Sequence, residues 1–463
     1  MPLSIQMKRL DVDFNREMFA DVVSTVSSAG FSPLIRNTLN AIKDSLRLEE
    51  FPVKKAPAKR LSLLGRFSPG VVDGELFLHE EDSVLCYLKL ESVYETSEPG
   101  KGILASTPHL YLEAGSMTRT VNSVAVDRLC ECVVAFLKDK LPDTSATAGF
   151  YNLVWRNSKL EKLKSEPGVT SYQFSPEEKS LAAELRSRPI RNLALTVKAS
   201  GGMLLKDVRT AARNEGNEDL VSRLSELGLV RREFVIICRK TSQQINRPPN
   251  SQVLAELDKQ GLLCSCGRRL SEENVEEIFA PSAAAKRLLD GGKWLGAMLL
   301  KELEDLGISE QRVLLNFQQG PEEVDAFFDL EGSLGLAELK DKEFSLGHAY
   351  PFAGRIGIYK PEYALILSTE QIASDVKEHF AKIEPLAKVF YAGNLGELAP
   401  TLEEIVNEVR SMRGSKLLKE FDNLPTLRFK LGELLALKLD LREPESEAKI
   451  DNEFPSLDAS FML

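Results

Sequence analysis

The sequence predicts a mixed α/β, α+β multidomain chain, and three observations carry that expectation. The chain has 463 residues, more than one compact core normally organises, so two to four units of roughly 100–200 residues each are expected. Hydrophobic residues make up 43% and charged residues 28%, near the averages for a globular protein, which excludes fibrous and wholly disordered classes. Apolar spacing switches between the helical interval of about 3.6 and the strand interval of about 2 along the chain, so both element types recur.

Residues 1–142 read as an N-terminal α+β domain. Phe31 to Leu48 has helical spacing, Val71 to Ser92 alternates in strand-like runs, and Val121 to Leu141 is helical again. No motif with nameable chemistry lies here, so a structural or protein-partner role is expected. Residues 143–183 are expected to be a linker with one short helix, because Asp143 to Glu178 is rich in Ser, Pro, Gly and Lys. The tail, 442–463, is acidic and ends in Phe461-Met462-Leu463, which reads as a peptide able to dock on protein.

No apolar run approaches the roughly 18–20 residues of a membrane span, and the start, MPLSIQMKRLDVDF, has no apolar stretch behind a basic end. A cytoplasmic location without membrane association is expected. Six scattered cysteines show no disulfide framework, so reduced thiols are expected. The net charge of −10 excludes a general phosphate-binding coat, and any nucleic-acid contact must be local.

Residues 184–250 supply such a place. Ile190 to Ala199 reads as a helix, Gly201-Gly202 as a turn, Leu204 to Arg213 and Asn217 to Leu227 as two more helices, and Gly228 suits the left-handed residue that ends the last. Val230 to Arg239 then alternates as a strand, with turn-like Thr241 to Pro249 after it. The order resembles a winged helix-turn-helix domain. Glu184 to Arg247 holds 13 Lys and Arg against 7 Asp and Glu, and Arg223, Arg231, Arg232, Arg239 and Lys240 are the expected phosphate contacts. Glu218, Asp219 and Glu226 on the recognition helix weigh instead toward a protein-binding module.

Residues 251–292 read as a connector in which a short helix, Leu254 to Gly261, leads into Cys264-Ser265-Cys266-Gly267. Structural zinc takes four ligands and no second cysteine pair lies nearby, so zinc at Cys264 and Cys266 is not expected.

The chemistry is expected in 293–441. Lys293 to Leu306 has the apolar spacing of an amphipathic helix, stopped by Gly307. Three strand-length segments follow, Arg312 to Phe317, Glu323 to Asp329 and Leu334 to Lys340, with turn signals at Gln318 to Pro321 and Glu331 to Ser333. Alternation puts Glu338 and Lys340 on one face of the third strand, and a hairpin around Glu331-Gly332 brings Asp325 opposite Glu338. Two carboxylates and an ammonium suit phosphodiester hydrolysis. Carboxylates bind Mg²⁺ while leaving positions for water and phosphate, and a lysine beside the metal can orient the attacking water.

The helix followed by an EVD strand and an ELK strand resembles the PD-(D/E)XK, or restriction-endonuclease-like, nuclease superfamily over roughly 293–359. The resemblance implies that Asp325, Glu338 and the Leu339 carbonyl bind Mg²⁺ or Mn²⁺ and that Asp325, Glu338 and Lys340 are catalytic. Similar nucleases often carry another acid on the preceding helix. Gly296 stands at that place here, and Glu302 is the candidate substitute. His348 and Arg355 are candidate accessory residues, as is Glu343 downstream. No P-loop, HExxH or G-x-S-x-G pattern is present. The expected function is a Mg²⁺-dependent endonuclease acting on nucleic acid, DNA by preference, in restriction, repair or phage defence. The alternative is a non-catalytic DNA-binding or assembly protein on a nuclease-like scaffold. Protein partners, through the N-terminal domain or the tail, and self-association are compatible with either.

Overall fold

The computed structural model describes residues 3–11, 16–45, 71–79, 84–93, 109–119, 123–141, 149–153, 156–167, 169, 171–319 and 322–422, with positions 432, 435, 436, 439 and 441. The acidic tail, 442–463, lies outside them, as do part of the expected linker and the turn residues 320–321. The chain is mixed α+β and falls into two compact units, 1–155 with 404–463, and 156–403.

The first unit contains β1 (Ser4–Asp11), α1 (Phe19–Ser28), β2 (Phe31–Pro33), α2 (Leu34–Ser45), β3 (Val71–His79), β4 (Val84–Val93), β5 (His109–Thr118), α3 (Ala125–Lys140) and β6 (Tyr151–Asn152). Its strands form an antiparallel sheet in the order β2-β3-β4-β5-β1-β6. Alternating side chains feed two cores. Phe77, Cys86, Leu88 and Leu112 pack with Phe19, Val22, Leu129 and Val133 of α1 and α3, while Leu76, Leu85, Tyr87 and Met117 pack with Leu417, Leu418 and Phe421 of the C-terminal helix Leu398–Asp422. A single helix from Phe31 was expected. Instead Phe31, Ser32 and Pro33 pair with His79, Leu78 and Phe77, and the helix starts at Leu34, because burial of Phe31 in the core outweighs local helical periodicity.

Charged residues are buried in this sheet, among them Glu75 and Lys89. Glu75 accepts N–H bonds from Ile35 (2.7 Å) and Leu76 (3.2 Å), yet burial pushes its carboxyl up to about 7. A raised acid favours folding in its protonated form, so the stability it contributes is full below the ordinary value of 4.5 and is lost as pH rises towards 7. Glu75→Gln is therefore expected to flatten the decline of stability between pH 5 and pH 8 by about 2–3 kcal/mol, read by urea unfolding at the two pH values. Lys89 has its Nζ 3.0 Å from Glu91, 3.0 Å from Glu113 and 2.8 Å from Glu420.

The second unit contains α4 (Ser158–Ser165), α5 (Pro176–Glu184), α6 (Arg188–Ala199), β7 (Met203–Leu204), α7 (Leu205–Asn214), α8 (Leu220–Glu226), β8 (Val230–Ile237), β9 (Gln244–Asn246), α9 (Ser251–Lys259), β10 (Asn274–Pro281), α10 (Ala283–Leu289), α11 (Lys293–Asp305), β11 (Val313–Gln319), β12 (Glu322–Leu330), β13 (Ser333–Lys340), α12 (Leu346–Tyr359), β14 (Tyr363–Ser368), α13 (Ser374–Ile383) and β15 (Lys388–Ala392). Two of its helices, α4 and α5, arise from residues read as linker. Each has a side-chain cap, Asn157 on the first and a Ser175–Glu178 capping box on the second.

Strands β7, β10, β8 and β9 form one sheet in that order. The main partner of β8 is β10, from the segment read as connector, through the pairs Asn274–Ile237 to Pro281–Val230. A second sheet, β11-β12-β13-β14-β15, has antiparallel pairs up to β13 and parallel pairs beyond it. Glu331 and Gly332, at φ 51° and 90°, close the tight hairpin between β12 and β13. Gly335 faces Phe328 across that hairpin, and a Cβ there would lie 2.0 Å from the ring, so glycine is required. Parallel pairing of β13 with β14 needs a crossover, which α12 provides. Phe317, Phe327, Leu336, Phe352, Ile356, Ile366 and Phe380 form the core joining the sheet to α12 and α13, and α11 packs on β11 and β13.

Candidate functional site

The ladder between β12 and β13 runs from Leu330–Ser333 to Ala326–Ala337 and stops there, although both strands continue. Beyond that point β13 keeps its parallel partner, with Glu338, Leu339 and Lys340 beside Ile366, Leu367 and Ser368 of β14. The freed Leu339 N–H donates to Asp325 Oδ2 at 2.7 Å. A side-chain carboxylate thus stands where a backbone carbonyl would have paired, and the two strands part at the acids.

Glu338 and Lys340, two residues apart, project to the same side as alternation requires. Lys340 Nζ lies 2.8 Å from Glu338 Oε1 and 3.4 Å from Asp325 Oδ2, so the three residues meet at one ammonium. Arg355, on α12, donates to Glu338 Oε2 at 2.6 Å. Glu338 is 4% exposed, which leaves its charge dependent on those two cations. Burial, then the charge of Glu338, hold the Asp325 carboxyl above its usual range despite Lys340. Burial opposes protonation of Lys340, but Asp325 and Glu338 outweigh it and raise its proton affinity. At neutral pH Lys340 is a cation and no proton acceptor.

The donor set suits a hard divalent cation. Mg²⁺ is commonly held by one or two carboxylates with water and phosphate oxygens completing its shell, and here two carboxylates converge beside the Leu339 peptide.

The structure places the other candidates elsewhere. Glu302 pairs with Arg186 at 3.1 Å instead of with this group. Trp294 of the same helix reaches Asp341 (Nε1 to Oδ2, 3.1 Å), and eight residues at 1.5 Å rise carry Glu302 about 12 Å further along the axis. A side chain on Gly296 would meet Leu315, Phe174 and Asn316. His348 closes the capping box of α12: its Nδ1 accepts from Ser345 N at 3.1 Å, and burial and the nearby Lys342 and Lys340 lower its proton affinity. Glu343 accepts from Gln371.

Two participants escaped the sequence reading. Asp341 directly follows the ELK triplet and holds Trp294, Thr369 (3.0 Å) and Arg191 (3.2 Å), fastening the end of β13 to α11 and α6. Asn316, flanked by the pairs Leu315–Ala326 and Phe317–Val324, sits across the ladder from Asp325 with φ 48° and a buried Nδ2 that has no hydrogen-bond partner among the described residues. Its positive φ has no signature in an apolar run, although the ELKD extension was visible.

Of the five expected phosphate contacts, three face acids. Arg223 is 3.1 Å from Glu184, Arg231 2.6 Å from Glu233 and Arg232 3.5 Å from Glu277. Arg239 and Lys240 are exposed, and their side chains form no ion pair among the described residues.

No family model matches the chain, and no curated protein matches it. Among solved structures, the crystal structure of protein VC1899 from Vibrio cholerae is similar at 15% identity and a TM-score of 0.29, over 56% of this chain and 63% of that one. This chain therefore spans less than two thirds of the length of that protein.

Proposed function

We propose that the second unit is a metal-dependent nuclease and that the parting of β12 and β13 around Asp325, Glu338 and Lys340 is its catalytic centre. The convergence of two carboxylates and an ammonium just past the end of the ladder at Ala326–Ala337 carries the reading. The order α11-β11-β12-β13-α12-β14 on a mixed sheet supports it, being the arrangement expected of a restriction-endonuclease-like core.

A bound Mg²⁺ or Mn²⁺ ion would activate water and offset charge on the phosphate. Asp325 and Glu338 would hold it with the Leu339 carbonyl, while Leu339 N–H fixes the Asp325 rotamer. Lys340, charged at neutral pH, would orient the attacking water and stabilise the negative charge that develops. Arg355 positions Glu338 through its second oxygen. Incubation of the pure protein with plasmid and with single-stranded RNA, with Mg²⁺, with Mn²⁺ or with chelator, tests this directly. Intact substrates under every condition would defeat it.

The sheet β7-β10-β8 with α6, α7 and α8 supports a winged-helix reading, and Arg239 and Lys240 follow β8 as uncommitted cations. Changing both to Glu is expected to weaken DNA binding and reduce the slope of log affinity against log salt by about 0.9 for each lost phosphate contact. Arg231→Glu is expected to matter less, since Glu233 already holds that arginine. Filter binding from low to moderate salt reads both.

One observation favours a second reading, a non-catalytic nucleic-acid-binding protein. Lys340 and Arg355 balance Asp325 and Glu338 charge for charge, as in a closed structural network. Calorimetric titration with Mn²⁺ separates the two, because a structural network takes up no metal.

A further inference from the structure

Four metal-ligating side chains converge elsewhere in the second unit, from three separate stretches of chain. Cys238 directly follows β8, Cys264 and Cys266 lie between α9 and β10, and Glu273 directly precedes β10. Their three thiol sulfurs and one carboxylate oxygen all lie within 4.8 Å of one another. Cys238, Cys264 and Glu273 are buried and Cys266 is half-buried.

The backbone turns both cysteine segments inward. After Cys238, Ser242 N–H donates to the Cys238 carbonyl (2.8 Å) and Cys238 N–H to the Gln243 carbonyl (2.9 Å), with Ser242 at φ 57°. Around Cys264, Gly267 N–H donates to the Cys264 carbonyl (2.8 Å) and Cys264 N–H to the Arg268 carbonyl (2.8 Å), with Gly267 at φ 89°. Glu273 is oriented by its other oxygen, which accepts from Arg239 N–H at 2.6 Å, while Oε1 accepts from the Cys266 thiol at 3.0 Å. Ile236, Ile245, Leu254, Leu257 and Leu270 wall the cluster.

We infer that Cys238, Cys264, Cys266 and Glu273 form a closed, structural zinc site. Zinc favours four tetrahedral S, N or O ligands, and Zn–S bonds of about 2.3 Å place neighbouring sulfurs about 3.8 Å apart, within the span observed. The Glu273 carboxylate, buried among three thiols and apolar side chains, is held by the Arg239 N–H and the Cys266 thiol, and a bound zinc ion would offset its charge directly. Three cysteines also leave one thiol over from any disulfide. On binding, three S–H bonds give three Zn–S bonds and three protons pass to solvent, while the carboxylate enters already ionised. Arg239, Lys240 and Arg268 lie next to the ligands in sequence. All four positions are filled by protein, so the ion ties the end of β8 to the start of β10 and has no place for substrate. The inference is independent of the phosphodiester reading.

Elemental analysis of the purified full-length chain is expected to find about one zinc per molecule, lost only on treatment with a thiol-blocking mercurial and chelator. Cobalt(II) reconstitution is expected to yield intense thiolate-to-metal charge-transfer absorption with the visible bands of a tetrahedral ion. Cys264→Ser and Cys238→Ser should each abolish stoichiometric metal, Glu273→Gln should weaken retention at least tenfold, and Cys132→Ser, in the first unit, should leave it unchanged. Wild-type protein without zinc whose cobalt form lacks thiolate charge transfer overturns the site, whether or not the variants fold. So does full zinc retention by Cys264→Ser.

Discussion

Asp325→Ala, Glu338→Ala and Lys340→Ala are each expected to lower metal-dependent phosphodiester cleavage by at least about a hundredfold, the effect of deleting one preorganised group from a transition-state site. The three changes should differ in what else they alter. Either carboxylate change removes an oxygen ligand, so Mn²⁺ affinity by titration calorimetry falls with the rate. Lys340→Ala removes the cation but neither ligand, and with the ammonium gone from between the acids, Mn²⁺ affinity holds or rises while cleavage is lost. Lys340→Arg keeps the charge but moves it, and a partial rate is expected. Arg355→Ala frees the second oxygen of Glu338 and acts through position alone, so a conservative Arg355→Lys should restore most of the rate. Were the group only a structural ion network, all of these variants would change stability and none would separate metal binding from turnover. Equal loss of Mn²⁺ affinity in all three alanine variants would contradict the roles assigned.

Lys89→Met is expected to destabilise the first unit by about 3–5 kcal/mol or more, because it leaves Glu91, Glu113 and Glu420 facing one another without their cation. Burial already raises the proton affinity of Glu113 while Lys89 holds it down, and the Tyr87 hydroxyl donates to the same carboxylate. Removing the ammonium lets burial and mutual repulsion act unopposed, so protons must bind for the cluster to stay buried. The defect should therefore be largest at neutral pH and shrink as pH falls toward the carboxylate range. Urea unfolding of wild type, Lys89→Met and Lys89→Met/Glu113→Gln at pH 5 and pH 8 reads the effect. A defect that does not depend on pH would show that lost packing, and not charge, dominates.

Read alone, the sequence determined the mixed α+β class, the amphipathic helix before the three strands, the tight hairpin at Glu331-Gly332 and the shared face of Glu338 and Lys340. These follow from short-range rules: apolar period, turn residues with positive φ, and alternation along one strand. It also marked Asp325 as opposite Glu338, since hairpin register follows from the turn. Only the tertiary structure decided the rest. It parted β12 from β13 so that Leu339 bonds a side chain, added β14 and β15 in parallel through crossovers, and sent Glu302 to Arg186 and Arg231 to Glu233. It drew β10 out of an expected connector into the sheet of β8, which carried Glu273 to Cys238, Cys264 and Cys266. Those outcomes depend on contacts between residues distant in sequence, whose energies come from burial and charge in the folded core, and no local pattern encodes them.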